Sequence, residues 1–238
     1  RLLPQLDRVQ FCSRDNASYD VGFLPGLRDQ IDDNLRSGID IARYHLSTGG
    51  REPFTMLFLG SFRHHPNLQA LTWLVELVLP RVIAVRPEAR LIVVGSEAPP
   101  AHTLPRPGGA VELRGFVKDV RDPLSRYSVF VCPILSGSGI RVKLLEAFAS
   151  GIPVVSTRVG AEGLATADGD LCILADDPDS FSRGILRVFE APEQASEMAL
   201  RARAKVEADH NAAVLTRRLA GSYSQIVTAK RREGHADS

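Results

Sequence analysis

From Thr55 onward, short unbroken apolar runs alternate with longer stretches in which apolar positions recur at helical spacing. Unbroken runs read as strands buried on both faces, and the helical spacing marks one buried helix face. Thr55-Met56-Leu57-Phe58-Leu59 predicts a strand closed by Gly60. Asn67 is a candidate helix cap, followed by Leu68, Leu71, Leu74, Val75 and Val78 on one face, with a break or kink near Pro80. Leu91-Ile92-Val93-Val94, Val111-Glu112-Leu113, Val129-Phe130-Val131, Pro153-Val154-Val155-Ser156 and Leu171-Cys172-Ile173-Leu174 predict five further strands. Helices are expected over 67–86, 120–127, 141–150 and 178–189, the last capped by Asp177.

Strands alternating with helices give βαβ units and a parallel sheet. The fold class predicted is α/β, a Rossmann-like doubly wound parallel sheet of about six strands. Ligands of such sheets bind beyond the carboxyl ends of the strands, where the glycine-containing loops fall. A helical tail follows, two helices meeting near His210-Asn211. Residues 1–50 are turn-rich, like the end of a preceding domain plus a linker. The expected division is therefore 1–45, 46–192 and 193–238. The chain starts at Arg1 in mid-pattern, so it is expected to be a piece of something longer.

Composition narrows the function classes. The 238 residues carry 29 Lys plus Arg against 28 Asp plus Glu, a balance that speaks against a nucleic-acid binder driven by bulk charge. No apolar run approaches the roughly 18 to 20 residues of a membrane span, since Glu76, Pro80 and Arg81 interrupt the longest. Residues 201–238 hold eight Lys/Arg and four Asp/Glu, which reads either as a solvated basic face or as contact with an anionic membrane surface. Cys12, Cys132 and Cys172 are too scattered for a disulfide framework or a zinc site and are expected to be buried hydrophobes in a reducing compartment.

The most informative stretch is Ser136-Gly137-Ser138-Gly139-Ile140-Arg141-Val142-Lys143-Leu144-Leu145-Glu146, which follows a strand and opens a helix. Gly137 and Gly139 let backbone N–H groups approach a ligand, and the helix N-terminus adds partial positive charge, so the loop suits an anion such as phosphate. Arg141 and Lys143 oppose the helix dipole unless an anion is bound. Glu146 lies among apolar neighbours and needs donors, either a vicinal diol such as a ribose or an internal salt bridge to Arg141 or Lys143. In the loop after the first strand, Arg63 either meets the same anion or lies on the surface. Phe116 either stacks on a base or fills the core, and Glu162 either meets sugar hydroxyls or is solvated. Walker A, GxGxxG and Gly-x-Ser-x-Gly signatures are absent from their required contexts.

Taken in order, Phe58-Leu59-Gly60-Ser61 with Pro66-Asn67, Ile92-Val93-Val94-Gly95, Leu113-Arg114-Gly115-Phe116-Val117-Lys118-Asp119, the Gly137–Ala147 stretch and Gly151-Ile152-Pro153-Val154-Val155-Ser156-Thr157 resemble the C-terminal half of group 1 (GT4-type) glycosyltransferases of the GT-B fold. The resemblance runs from about Met56 to Phe189. Ser37-Gly38-Ile39-Asp40 is similar to the hinge between that family's two halves, making residues 1–36 the end of an N-terminal acceptor domain.

The resemblance implies a donor-binding half for a UDP-, GDP- or ADP-sugar, metal-independent, without a cofactor, and retaining the anomeric configuration. It implies synthesis of a polysaccharide or glycoconjugate on a sugar, lipid-linked or other acceptor. The implied location is cytoplasmic, with peripheral contact at the inner membrane face as a further expectation. Glu146 matches the second glutamate of the family's E-x7-E motif, which holds the ribose diol, while Ser138 stands at the first. Ser138, Gly139 and Ile140 would face the diphosphate and sugar, Phe116 and Val117 would line the base, and Gly60 would lie beside the donor. Ser61 and Asn67 stand where the family carries its phosphate-binding Arg and Lys, so Arg63, Arg141 and Lys143 are expected to replace that charge, the last two as the leaving-group catalysts. Transfer by this chain alone is expected to be weak. The alternatives are a non-catalytic nucleotide-binding or regulatory module, favoured by Ser138, and a nucleotide-sugar 2-epimerase.

Overall fold

The computed structural model describes residues 6–11, 14–32, 37–46, 50–99, 104 and 109–236, with side chains throughout except at 14–16 and 232–236. Cys12 and most of the 98–109 loop lie outside the described residues. The chain forms two compact units, 42–206 and 1–41 together with 207–238.

The smaller unit contains β1 (Val9–Gln10), α1 (Arg14–Phe23), a 3-10 turn over Pro25–Gln30, β2 (Ile31–Asp32), which pairs in parallel with β1, and α8 (Ala212–Ala236). Ile39 donates its N–H to His210 O and accepts from Ala212 N, both at 2.9 Å. Gly38 is needed there, because a Cβ would lie 3.2 Å from His210 O and 2.5 Å from Leu215 Cδ1.

The larger unit begins with β3 (Glu52–Leu59), extending the predicted strand three residues earlier. The chain then runs through α2 (His65–Trp73), a π-helical turn at Leu74–Val78, α3 (Leu79–Val85), β4 (Arg90–Val94), β5 (Val111–Gly115), α4 (Arg121–Arg126), β6 (Tyr127–Cys132), α5 (Val142–Ala149), β7 (Val154–Ser156), β8 (Ile173–Leu174), α6 (Pro178–Glu190) and α7 (Pro192–Asp209). The six strands form one sheet in the order β5-β4-β3-β6-β7-β8. Every pairing in it is parallel. Met56, Leu57, Phe58, Val129 and Phe130 are fully buried, as a sheet covered on both faces requires. Each such side chain contributes about 1.5–3 kcal/mol by leaving water.

Pro80 does not break its helix. A proline ring clashes with the carbonyl four residues earlier and donates no N–H, and here the backbone widens into the π turn just before it. The 21-residue rod His65–Val85 is therefore continuous, long and apolar enough by length and composition to cross a membrane, which corrects the reading of an interrupted run. In this fold it is a core helix: Ala70, Leu71, Leu74, Val75, Val78, Leu79 and Val82 are buried, and Trp73 meets Phe181 of α6 edge-on at 5.4 Å. The cap of α2 is His64, which makes no side-chain capping bond, so Asn67 sits inside the first turn instead of capping it. Asp177 does cap α6, accepting from Asp179 N at 3.0 Å and Ser180 N at 2.9 Å. Cys132 and Cys172 are free and buried.

The loops after β3 and β4 touch at Gly60 and Gly95. A Cβ on Gly95 would fall 1.7 Å from Gly60 O, a backbone atom that cannot swing aside. Gly95→Ala is therefore expected to cost more than about 2 kcal/mol in urea unfolding, while Gly50→Ala, with open space around it, stays within about 0.5 kcal/mol.

Candidate functional site

The sheet order reverses direction between β3 and β6: from β3 the chain crosses by α2 to β4 on one side, and from β6 by α5 to β7 on the other. The carboxyl ends of these two strands flank the crevice where ligands of open α/β sheets bind. Residues 60–64 leave β3 and residues 133–141 leave β6 at this point. Gly137 at φ 100° and Gly139 at φ 90° occupy backbone conformations that favour glycine, which fixes the path of the second loop into α5.

Lys143, in the first turn of α5, reaches across the crevice. Its Nζ donates to Leu59 O, the last carbonyl of β3, at 2.9 Å and to Asn67 Oδ1 at 2.8 Å, and lies 5.1 Å from the centroid of the Phe58 ring. Asn67 is held in turn by donating Nδ2 to Ser61 O at 2.8 Å. Burial pushes the Lys143 ammonium below its ordinary value, and Arg141 nearby pushes the same way. Its partners are a carbonyl, an amide and a ring, all uncharged, and the ammonium has three N–H donors of which these bonds use two.

Arg141 precedes α5 and folds back on its own loop, donating Nη1 to Ser138 O at 2.6 Å and Gly139 O at 2.7 Å. Its Nη2 is buried without a hydrogen-bond partner. The Gly139 N–H donates to Glu162 Oε2 at 3.1 Å, so a carboxylate from the turn after β7 already holds one amide of the predicted anion loop. Ser138 is exposed, and Gly139 and Ile140 are partly so.

Glu146, one turn further along α5, pairs with neither Arg141 nor Lys143. Tyr44 donates its hydroxyl to Glu146 Oε1 at 2.8 Å. Burial raises the Glu146 carboxyl above its ordinary value, against the opposing effect of the Tyr44 bond. The Tyr44 phenol is raised too, first by burial and then by Glu146, so the phenol remains the donor. The segment bearing Tyr44 is tied on both sides. Arg203 donates Nη1 to Tyr44 O at 2.7 Å and also to Ala149 O at the end of α5. Arg121 donates Nη1 to Arg43 O at 3.1 Å while its Nε bonds Asp119 Oδ1 at 2.7 Å.

Other predicted residues fall at different depths. Phe116 is 72% exposed, which removes the reading of a core aromatic and leaves its ring open to a planar partner. Val117 is half-buried beside it. Arg63 bonds Glu97 at 2.5 Å on the exposed surface, which favours the surface-arginine reading over a shared anion site. Gly60 donates its N–H to Val94 O at 3.1 Å and needs to be small, since a Cβ would sit 3.0 Å from Asn67 Cγ. No group of three His, Cys, Asp or Glu among the described residues is arranged to hold a metal ion. Sequence reasoning missed Tyr44, and it read Asn67 as a helix cap and as the residue standing at the family's lysine position, not as the partner of Lys143. A tyrosine in a linker carries no spacing signal, whereas an asparagine next to a glycine loop could have been weighed as a ligand.

A family model described as glycosyl transferases group 1 matches residues 53–191. Among curated proteins, the chain is 29% identical over 156 residues to a 44.6 kDa protein of the cps region of Klebsiella pneumoniae, covering 62% of this chain and 40% of that one. It is 27% identical over 207 residues to the GDP-mannose-dependent monoacylated alpha-(1-6)-phosphatidylinositol monomannoside mannosyltransferase of Corynebacterium glutamicum, covering 79% and 54%. The chain thus spans about half or less of the length of these relatives. Among solved structures, sucrose-phosphate synthase from Thermosynechococcus elongatus superposes with a TM-score of 0.76 at 19% identity, covering 96% of this chain and 60% of that one. Anabaena HepE in complex with UDP superposes with a TM-score of 0.72 at 17% identity, covering 92% and 64%. These likenesses show the Rossmann-like fold with its helical tail.

The raised carboxyl of Glu146 sets a pH dependence. Folding favours its protonated form, so its contribution to stability is largest below the ordinary value of 4.5 and is lost as pH rises through the raised value. Glu146→Gln keeps an acceptor for Tyr44 and cannot ionise. Its melting temperature is expected to gain on wild type as pH rises from about 4 to 7, and a pH-independent difference would remove the raised value from the account.

Proposed function

The chain belongs to the group 1 glycosyltransferases, and we propose that its larger unit is the donor-binding half of a retaining, metal-independent transferase acting on a nucleoside diphosphate sugar. The observation that carries this reading is the meeting of Lys143 Nζ with Asn67 Oδ1 and Leu59 O at the switch point. By the resemblance, Asn67 stands where the family keeps a phosphate-binding lysine. Here the ammonium comes to the same place from α5.

In this reading the diphosphate lies along residues 138–140, takes the remaining N–H of Lys143, and turns Arg141 outward from the Ser138 and Gly139 carbonyls. Departure of the nucleoside diphosphate concentrates negative charge on the β-phosphate oxygens. Two cations, backbone amides and the N-terminus of α5 stabilise that charge more in the transition state than in the ground state. Glu146 accepts from the ribose diol, Phe116 and Val117 cover the base, and Glu162 meets hydroxyls of the donor sugar. The acceptor, a sugar or a lipid-linked sugar, is bound by a further domain, so the chain alone binds donor and transfers little. The names of the relatives, one GDP-mannose-dependent and one solved with UDP, leave both bases as substrates to try.

Titration of UDP, GDP and ADP into the chain by calorimetry tests this. One of the three is expected to bind, and Arg141→Ala and Lys143→Ala are each expected to weaken it at least about tenfold, as loss of a charge-assisted bond implies. Affinity unchanged in both variants, with melting temperatures showing them folded, would end the reading.

A further inference from the structure

Resting on the donor-site reading above, we propose that Tyr44 is a positioning residue for the ribose, its hydroxyl holding Glu146 in the orientation that accepts both hydroxyls of a vicinal diol. A free glutamate side chain rotates about three bonds, and an acceptor for two hydroxyls works only if its carboxylate plane is fixed. On α5, nothing else described fixes it, because Arg141 is turned to Ser138 O and Gly139 O and Lys143 to Leu59 O and Asn67. The 2.8 Å bond from Tyr44 supplies the constraint.

The bond leaves the site open. A carboxylate has about four acceptor positions, and the phenol uses one on Oε1, so both positions on Oε2 and one on Oε1 remain. Tyr44 itself cannot drift. Its carbonyl shares the Arg203 guanidinium with Ala149 O, which ties the tyrosine backbone to the very helix that carries Glu146. On the other side, Arg121 joins Arg43 O to Asp119, three residues beyond Phe116 in the loop that faces the base in the donor-site reading. These bonds link the Tyr44 segment to α5 on one side and to the loop at Asp119 on the other. A tyrosine that merely filled space would not need the hydroxyl, which is the one Tyr44 atom that bonds Glu146.

The test compares a nucleoside diphosphate with its 2′-deoxy analogue, using whichever base wild type binds. Wild type is expected to prefer the ribose form by at least about tenfold, as loss of a hydrogen bond to a charged group implies. Glu146→Gln should abolish most of that preference, and Tyr44→Phe should reduce it about threefold to tenfold with little change in affinity for the deoxy analogue. In the double variant the tyrosine change should add nothing further, the mark of two groups acting as one. A Tyr44→Phe protein that keeps the full wild-type ribose preference overturns the role of Tyr44 while leaving the donor site standing. If Glu146→Gln also keeps it, or if no nucleotide binds, the donor-site reading and the inference fall together. A space-filling role would lower the melting temperature and both affinities alike, and that outcome also overturns the proposal.

Discussion

An ammonium buried at the reversal point of the sheet governs the site. Lys143 has left water for a setting of one carbonyl, one amide oxygen and one aromatic ring, and burial lowers its tendency to stay charged. Burying a cation without a counter-charge is costly, and uncharged dipoles offset only part of that cost. In the donor-site reading an anion in the crevice supplies the missing stabilisation. In that reading the neighbouring groups serve the same end: glycine-shaped amides at 137–139, the Arg141 guanidinium with an unpartnered Nη2, and the N-terminus of α5.

The chain meets much of this demand itself. Glu162 accepts from Gly139 N, and Arg141 bends back to two carbonyls of its own loop. Each joins one ionised group to one neutral group; in the donor-site reading a diphosphate takes their place and pairs with Arg141 charge to charge. Tyr44 on Glu146 is of a different kind, since it constrains a carboxylate and leaves most of its acceptor positions free.

Much of the fold could be read from the chain because its strands are apolar throughout and its loops are punctuated by glycine. Met56 to Leu59 and Leu91 to Val94 look like doubly covered strands and are so. What escaped was long-range. Asn67 has a capping residue's identity, but its partners, Ser61 O and Lys143 Nζ, are set by how α2 and α5 approach the crevice. Arg63 looked available to an anion until the loop after β4 brought Glu97 to it. The continuity of the helix through Pro80 depends on a π turn, a local backbone adjustment with no residue signature of its own. Glu146 was visible as a carboxylate needing donors, and the donor supplied by the fold lies 102 residues away.

The most direct measurement is a crystal structure of the chain soaked with the nucleoside diphosphate it binds. The account predicts a β-phosphate oxygen within hydrogen-bond distance of Lys143 Nζ and Gly139 N, with the Glu162 carboxylate moved off that amide. A diphosphate seated away from the carboxyl ends of β3 and β6, with Glu162 still on Gly139, would contradict it.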